Sequence, residues 1–185
     1  MNDVNYIVYI PRSGDEVQRA CRGHPPIYLY SDLCRKMERS GDPAGIILDM
    51  LNKSDKNFIL LQSPRDPNNG HWTSLSMNPY LHEIYFFSSY GGRPDEEKNQ
   101  WISIRGRILS GQEANLLNDG LKELKKRGWT IHYNNFPYQV KGDKTATCGI
   151  WCVGFLNSNL NPDQFFQHCA KYNISAVDIY RKYFL

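Results

Sequence analysis

Cys148 is the residue of this chain best suited to nucleophilic chemistry. It stands in Thr145-Ala146-Thr147-Cys148-Gly149-Ile150-Trp151-Cys152, where a polar stretch turns abruptly apolar. A helix starting there puts Cys148 in its first turn, where unpaired backbone N–H groups and the positive end of the helix dipole favour a thiolate. The same N–H groups are ready donors to an oxyanion. Gly149, which has no side chain, lets a substrate carbonyl come close. The competing reading is a structural cysteine heading a core helix, the commoner fate of a cysteine; Cys152, further into the apolar run, fits it. A thiolate needs a base, and His24, His71, His82, His132 and His168 compete for the role. His71 is best placed, because it lies where a turn-rich loop (Pro64, Pro67, Asn68, Asn69, Gly70) meets a strand, and catalytic side chains favour loops held by a rigid scaffold. Metal chemistry is not indicated. Cys148-x-x-x-Cys152 has no second Cys or His pair at ligand spacing, and the neighbours His168 and Cys169 are poorly arranged for joint ligation. No metal and no cofactor is expected.

These groups need elements to position them. Tyr6 to Ile10 suggests a short strand, and Ser31 is placed to cap a helix through Arg39. Gly41-Asp42-Pro43 stops that helix, and Ala44 to Leu51 forms a second one. Phe58 to Gln62, His71 to Met77 and Leu81 to Phe87 are strand-like, separated by short turns, which suggests a mostly antiparallel sheet. In the second of these Trp72 points away from His71 and can anchor the strand. Gly91-Gly92 and Pro94 open a loop. Ser110-x-x-Glu113 has the form of a capping box for a long helix with Ala114, Leu117, Leu121 and Leu124 on one face and Gly128 at its end. Trp129 to Tyr133 is one more strand. Three helices close the chain: Cys148 to Leu156, Pro162 to Tyr172 with Asn161 as cap, and Ser175 to Tyr183. The expected fold is an α+β single domain over residues 1–185, a central mostly antiparallel sheet flanked by helices.

Composition narrows the setting. A chain of 185 residues holds one sizeable core. The longest apolar stretch, around Ile150 to Leu156, is too short to cross a bilayer, and Met1 to Asn5 has no signal-peptide character. The expectation is a protein made and used inside a cell, or packaged from inside one, with no membrane partner. An odd set of five scattered cysteines argues against a disulfide framework. The net charge of +3 announces no nucleic-acid binder. The local cluster Lys122, Lys125, Lys126 and Arg127 suits the C-terminal end of a helix. Monomer is the default.

Three segments together resemble a known family. Asn69-Gly70-His71-Trp72-Thr73-Ser74-Leu75, then Tyr85-Phe86-Phe87-Ser88-Ser89-Tyr90-Gly91, then Gln139 followed by Thr147-Cys148-Gly149-Ile150-Trp151 resemble the His, acid and Gln/Cys blocks of adenain-type cysteine proteases. The likeness is closest to those of adenoviruses, polintons and virophages, and it spans about Phe58 to Leu156; the wider clan includes proteases of SUMO-like modifiers. The resemblance implies a papain-like or adenain-like arrangement, with Cys148 as nucleophile, His71 as general base and acid, and Gln139 joining the Cys148 N–H in an oxyanion hole. Without the resemblance Gln139 is a solvated loop residue. Trp72 and Gly149 would border the substrate. Where the family has Asp or Glu this chain has Ser88, so Ser88 is expected to accept a hydrogen bond from His71, with Glu83 or Asp95 as substitutes from elsewhere. Strand periodicity puts Glu83 on the face opposite Ser88. The implied function is a viral or mobile-element endopeptidase that trims capsid or core precursors near glycine, acting in the virion and host cell. A DNA or peptide activator goes with it. The alternatives are a protease of ubiquitin-like modifiers and, because the acid is missing, a pseudoprotease that only binds capsid protein.

Overall fold

The computed structural model describes residues 4–66, 70–140 and 145–185, with the backbone alone for Val4 and Asn5. Residues 67–69 of the expected loop before His71 lie outside the described residues. Strands β1 (Ile27–Leu29), β2 (Lys56–Gln62), β3 (Gly70–Asn78), β4 (Glu83–Ser88) and β5 (Thr130–Tyr133) form one sheet in chain order. The two central pairings, β2 with β3 and β3 with β4, are antiparallel; β1 joins β2 and β5 joins β4 in parallel. The sheet is mixed at its edges, and its longer, central ladders are the antiparallel ones, consistent with the expected fold class. Short turns link the central strands, whereas each outer strand is reached through helices, which allow a parallel return.

Alternation along the strands builds two cores. Phe58, Leu60, Trp72, Tyr85 and Phe87 point to one face, and Ile59, Leu61, Leu75, Ile84 and Phe86 to the other. Helices α1 (Gly14–Ala20), α7 (Cys148–Ser158), α8 (Pro162–Tyr172) and α9 (Ala176–Tyr183) cover the first face. The second is covered by α2 (Tyr30–Ser40), α3 (Pro43–Lys53) and α6 (Leu116–Lys126). Burial on both faces explains why β2 is a continuous apolar run (Phe58-Ile59-Leu60-Leu61) rather than an alternating one. Helix α7 is buried from Gly149 to Asn157. It is apolar all round because it has protein on every side.

The helix ends are partly as the residue types dictate. Asn161 and Ser175 close capping boxes at α8 and α9, and Asp42 caps α3. Ser31 does not cap α2; its hydroxyl donates to Gln62 Oε1 (2.5 Å), and the helix already includes Tyr30. Ser110-x-x-Glu113 starts no helix: Ser110 ends α5 (Ile104–Ser110), and α6 begins only at Leu116, behind Asn115. Gln112 displaces the pattern by pairing with the β2 backbone, Nε2 to Gln62 O (2.9 Å) and Gln62 N to Oε1 (3.0 Å). The segment expected to be a loop after Gly92 contains a short helix, α4 (Glu96–Trp101). The expected strand at Tyr6–Ile10 is a 3-10 turn, Val4–Tyr9, that pairs with no strand; Val8 O accepts from Ala146 N–H (2.6 Å), seating the turn beside the start of α7.

Candidate active site

Strand β3 and helix α7 cross so that their N-terminal ends meet. Cys152 Sγ donates to Trp72 O (3.4 Å), and one helical turn earlier Cys148 reaches His71 through a side-chain hydrogen bond. The thiolate of Cys148 also accepts from the N–H groups of Trp72 and Gly149. Thr147, before the helix, makes no side-chain cap, so the first-turn N–H groups of α7 are not consumed by one.

The other edge of the imidazole holds an acid that the residue pattern did not single out. His71 Nε2 lies 3.0 Å from Ser88 Oγ and 2.9 Å from Glu97 Oε2. Its N–H aligns with the serine hydroxyl, and the carboxylate stands alongside. Ser88 Oγ in turn donates to Glu97 Oε1, which also accepts from Gly92 N–H (3.1 Å). With Nε2 engaged there, the nitrogen left for Cys148 is Nδ1. Both partners are enclosed: Glu97 is 2 % exposed and Ser88 0 %. Asn134 fixes the Ser88 backbone from both sides, accepting from its N–H (2.9 Å) and donating to its carbonyl (2.6 Å). Gly92 is required here, because a Cβ on it would come within 2.5 Å of Glu97 Cγ and Oε1.

Glu83 and Asp95, the expected substitutes, are elsewhere. Glu83 accepts from Tyr85 OH (2.6 Å) and sits 3.3 Å from His132. Asp95 accepts from Tyr30 OH and from Asn118 N–H (2.8 Å). The sequence carries only a coarse signal for this acid, a run of acidic residues shortly after the Gly91-Gly92 pair. Three adjacent acids, Asp95, Glu96 and Glu97, could not be told apart by type.

The electrostatics follow from this packing. Burial alone would drive His71 down, but the Cys148 and Glu97 partners outweigh it and hold its pKa at about 9. For Cys148 burial pushes upward, and His71 with the two N–H donors brings the thiol below its ordinary range. Glu97 likewise is lowered by His71, Ser88 and Gly92 against the upward push of burial. Both shifts favour the thiolate–imidazolium form of the pair over the neutral one. Burial raises the other thiols, Cys21 and Cys169 to about 11, Cys34 to about 12, and Cys152 well upward.

A cleft of about 560 Å³ opens over this pair, bordered by Arg12, Leu61, Pro64, Tyr90, Trp101 and Gln139 among others. Tyr90 and Trp101 lie against the His71 ring, with centroids at 4.8 and 5.1 Å. Gln139 is buried rather than solvated: its Nε2 donates to Thr145 O (2.6 Å) and its Oε1 accepts from Ser89 Oγ (3.1 Å). The amide carries a second N–H. Trp72 is mostly core, packed on Phe58 and donating to Arg12 O (3.0 Å), with an edge at the cleft. Gly149 packs inward, where an added Cβ would meet Val17 (2.9 Å) and Trp72 (3.1 Å), so its small size serves helix packing first. Lys125 and Lys126 lie in the last turn of α6, and Lys126 and Arg127 pair with Glu123. Among the described residues no cluster of His, Cys, Asp or Glu could hold a metal, and no helix is long and apolar enough to cross a membrane.

Comparison with known proteins gives two distant relatives. Over 184 residues the chain is 29% identical to the uncharacterized protein V9 of Sputnik virophage, covering 97% of each. Over 107 residues it is 29% identical to a protease of bovine adenovirus 2, covering 57% of this chain and 47% of that protein. The chain thus spans about half the length of the adenovirus relative. No protein-family profile and no solved structure matches. The chain is a distant relative of viral proteins, one of them a protease.

Proposed function

We propose that the chain is a cysteine endopeptidase of a virus or mobile element, cleaving capsid or core precursors by way of an acyl-enzyme. The observation that carries this reading is the continuous hydrogen-bonded run from Cys148 through His71 to Ser88 and Glu97 at the floor of a cleft. The Cys148 thiolate attacks the scissile carbonyl, and negative charge develops on its oxygen. The second N–H of Gln139 and the first-turn N–H groups of α7 supply preset donors to that charge. His71 Nδ1–H then protonates the departing amine as the C–N bond breaks, leaving a thioester. Water enters, Nδ1 takes its proton, and the acid leaves with the thiolate restored. Glu97 stays ionised throughout and stabilises the imidazolium, the part the buried aspartate plays in serine enzymes. The aromatic walls at Tyr90 and Trp101 crowd the approach to Cys148, which favours substrates with glycine beside the scissile bond.

A binder without activity was motivated by serine at the acid position, and Glu97 removes that motive. Two measurements test the enzyme. A thiol electrophile at pH 7 is expected to label Cys148 at least ~100-fold faster than Cys21 or Cys34, with the advantage lost in His71→Ala. Glycine-containing capsid-precursor peptides are expected to be cut by the native chain and not by Cys148→Ala, with glycine-ended modifier fusions assayed beside them. Rapid labelling of Cys148 with no cleavage of either substrate class would leave a reactive thiol and sink the endopeptidase.

A further inference from the structure

The acid of the site rides on a helix of one and a half turns, outside the sheet that carries His71 and Ser88. Such a helix has little stability of its own. Its neighbours explain how it holds position. Lys98, directly after Glu97, is 0 % exposed. Its ammonium donates to Glu113 O (3.2 Å), Ala114 O (2.7 Å) and Asn115 Oδ1 (3.0 Å). An ammonium has three hydrogens, and all three are matched. The ammonium itself lies 5.6 Å from the centroid of the Tyr30 ring. Two residues before Glu97, Asp95 adopts a left-handed backbone (φ 70°) and binds Tyr30 OH and the Asn118 N–H of α6. Glu97 is thereby clamped from both sides in sequence.

The clamp leads back to the base. The 113–115 segment follows Gln112, whose amide is bonded in both directions to the Gln62 backbone. Gln62 and Leu61 are paired across the sheet with Gly70 and His71. Acid and base are thus referenced to one corner of the β2–β3 ladder, the base directly and the acid through Lys98. A buried charge is expensive to maintain, and an apolar side chain of this length would fill the same space. What it could not do is hold three oxygens of a separate segment in fixed positions.

We infer that Lys98 is a positioning residue of the site, fixing α4 so that the Glu97 carboxylate stays against His71 Nε2. This rests on the catalytic reading of Glu97 and His71, but it has its own readout. Lys98→Met keeps the stem and removes the cation. With Glu97 less firmly held, burial works on His71 with less opposition, and the imidazole pKa, followed by NMR of the His71 ring protons, falls by about one pH unit. The alkaline limb of kcat/KM moves with it, and KM changes less than kcat. Should Lys98→Met fail to fold, Asn115→Ala removes one of the three acceptors at an exposed position and is expected to give a smaller fall in the same direction. A lower Tm with the His71 titration unmoved in the variant that folds would reduce Lys98 to a structural residue and overturn the inference. Because the NMR titration needs no substrate, it remains decisive even if the chain proves unable to cleave peptides.

Discussion

Replacing Glu97 with glutamine tests the electrostatic account most directly. The side chain keeps its volume in a site where Glu97 is 2 % exposed, and it loses the charge 2.9 Å from His71 Nε2, with an amide NH2 in place of one carboxylate oxygen. The native imidazole titrates at about 9, against 6.5 for an unperturbed one, a rise of about 2.5 pH units or about 3 kcal/mol. Burial opposes this rise, so the upward pull of Cys148 and Glu97 together exceeds it. Cys148 acts by a hydrogen bond and an opposite charge, and Glu97 by an opposite charge beside Nε2. Removing either should therefore lower the value by at least about one pH unit. The pH dependence of kcat/KM reads this from the free enzyme. In Glu97→Gln the alkaline limb is expected at or below about 8, with activity at pH 8.5 down at least about threefold from ionisation alone and the gap narrowing toward pH 6. Stability carries the same sign. A raised imidazole contributes fully below pH 6.5 and loses its contribution as pH rises through about 9. Glu97, lowered from 4.5, contributes above that value and loses its share as pH falls through its depressed pKa. The Tm difference between native and variant should be largest between about pH 4.5 and 6.5 and close on both sides. An alkaline limb that stays within about 0.3 pH units of the native one would show that Glu97 does not hold the imidazolium, and the reasoning would fail.

Three further outcomes are expected. Gln139→Ala should lower kcat about 100- to 1000-fold with KM little changed, because an oxyanion donor acts in the transition state; equal losses in kcat and binding would point to collapse of the 139–145 segment instead. Ser88→Ala removes the hydroxyl between His71 and Glu97 but leaves the carboxylate in reach, so kcat/KM should fall about tenfold rather than the roughly 10⁴-fold associated with losing a triad acid; unchanged turnover would deny Ser88 an orienting role. Gly149→Ala drives a Cβ against Val17 and Trp72 and should destabilise the fold by about 1–3 kcal/mol, read as a lower urea midpoint.

Where residue types repeat at a structural period, the fold was legible. Phe58 to Leu61, the leucines of α6 and the cap at Asn161 lie as their patterns require. The failures share one cause: a local signal answered to a distant partner. Ser31 and Ser110 have capping chemistry, but Gln62 and Gln112 engage their hydroxyls. Tyr6 to Ile10 has strand propensity and no strand beside it. At the site, Cys148 and His71 could be placed because each stands where an apolar element begins. Glu97 could not, since nothing within α4 distinguishes it from Glu96; only the fold turns one inward and leaves the other exposed.

Moving the carboxylate from the strand to α4 changes what the site depends on. Ser88 is on β4, whose register with β3 (Thr73 opposite Ser88) fixes it relative to His71 as rigidly as the sheet itself. A carboxylate at that position would need no outside support. The serine is too short to bring charge to Nε2, yet it leaves room for Glu97 and bonds both groups at once. The charge now arrives through a helix whose placement rests on Lys98, Asp95 and Gly92. Orientation of the imidazole thus belongs to the sheet, and its protonation belongs to α4. Perturbing the sheet partner should reduce rate at every pH, whereas perturbing the α4 clamp should reduce it mainly on the alkaline side.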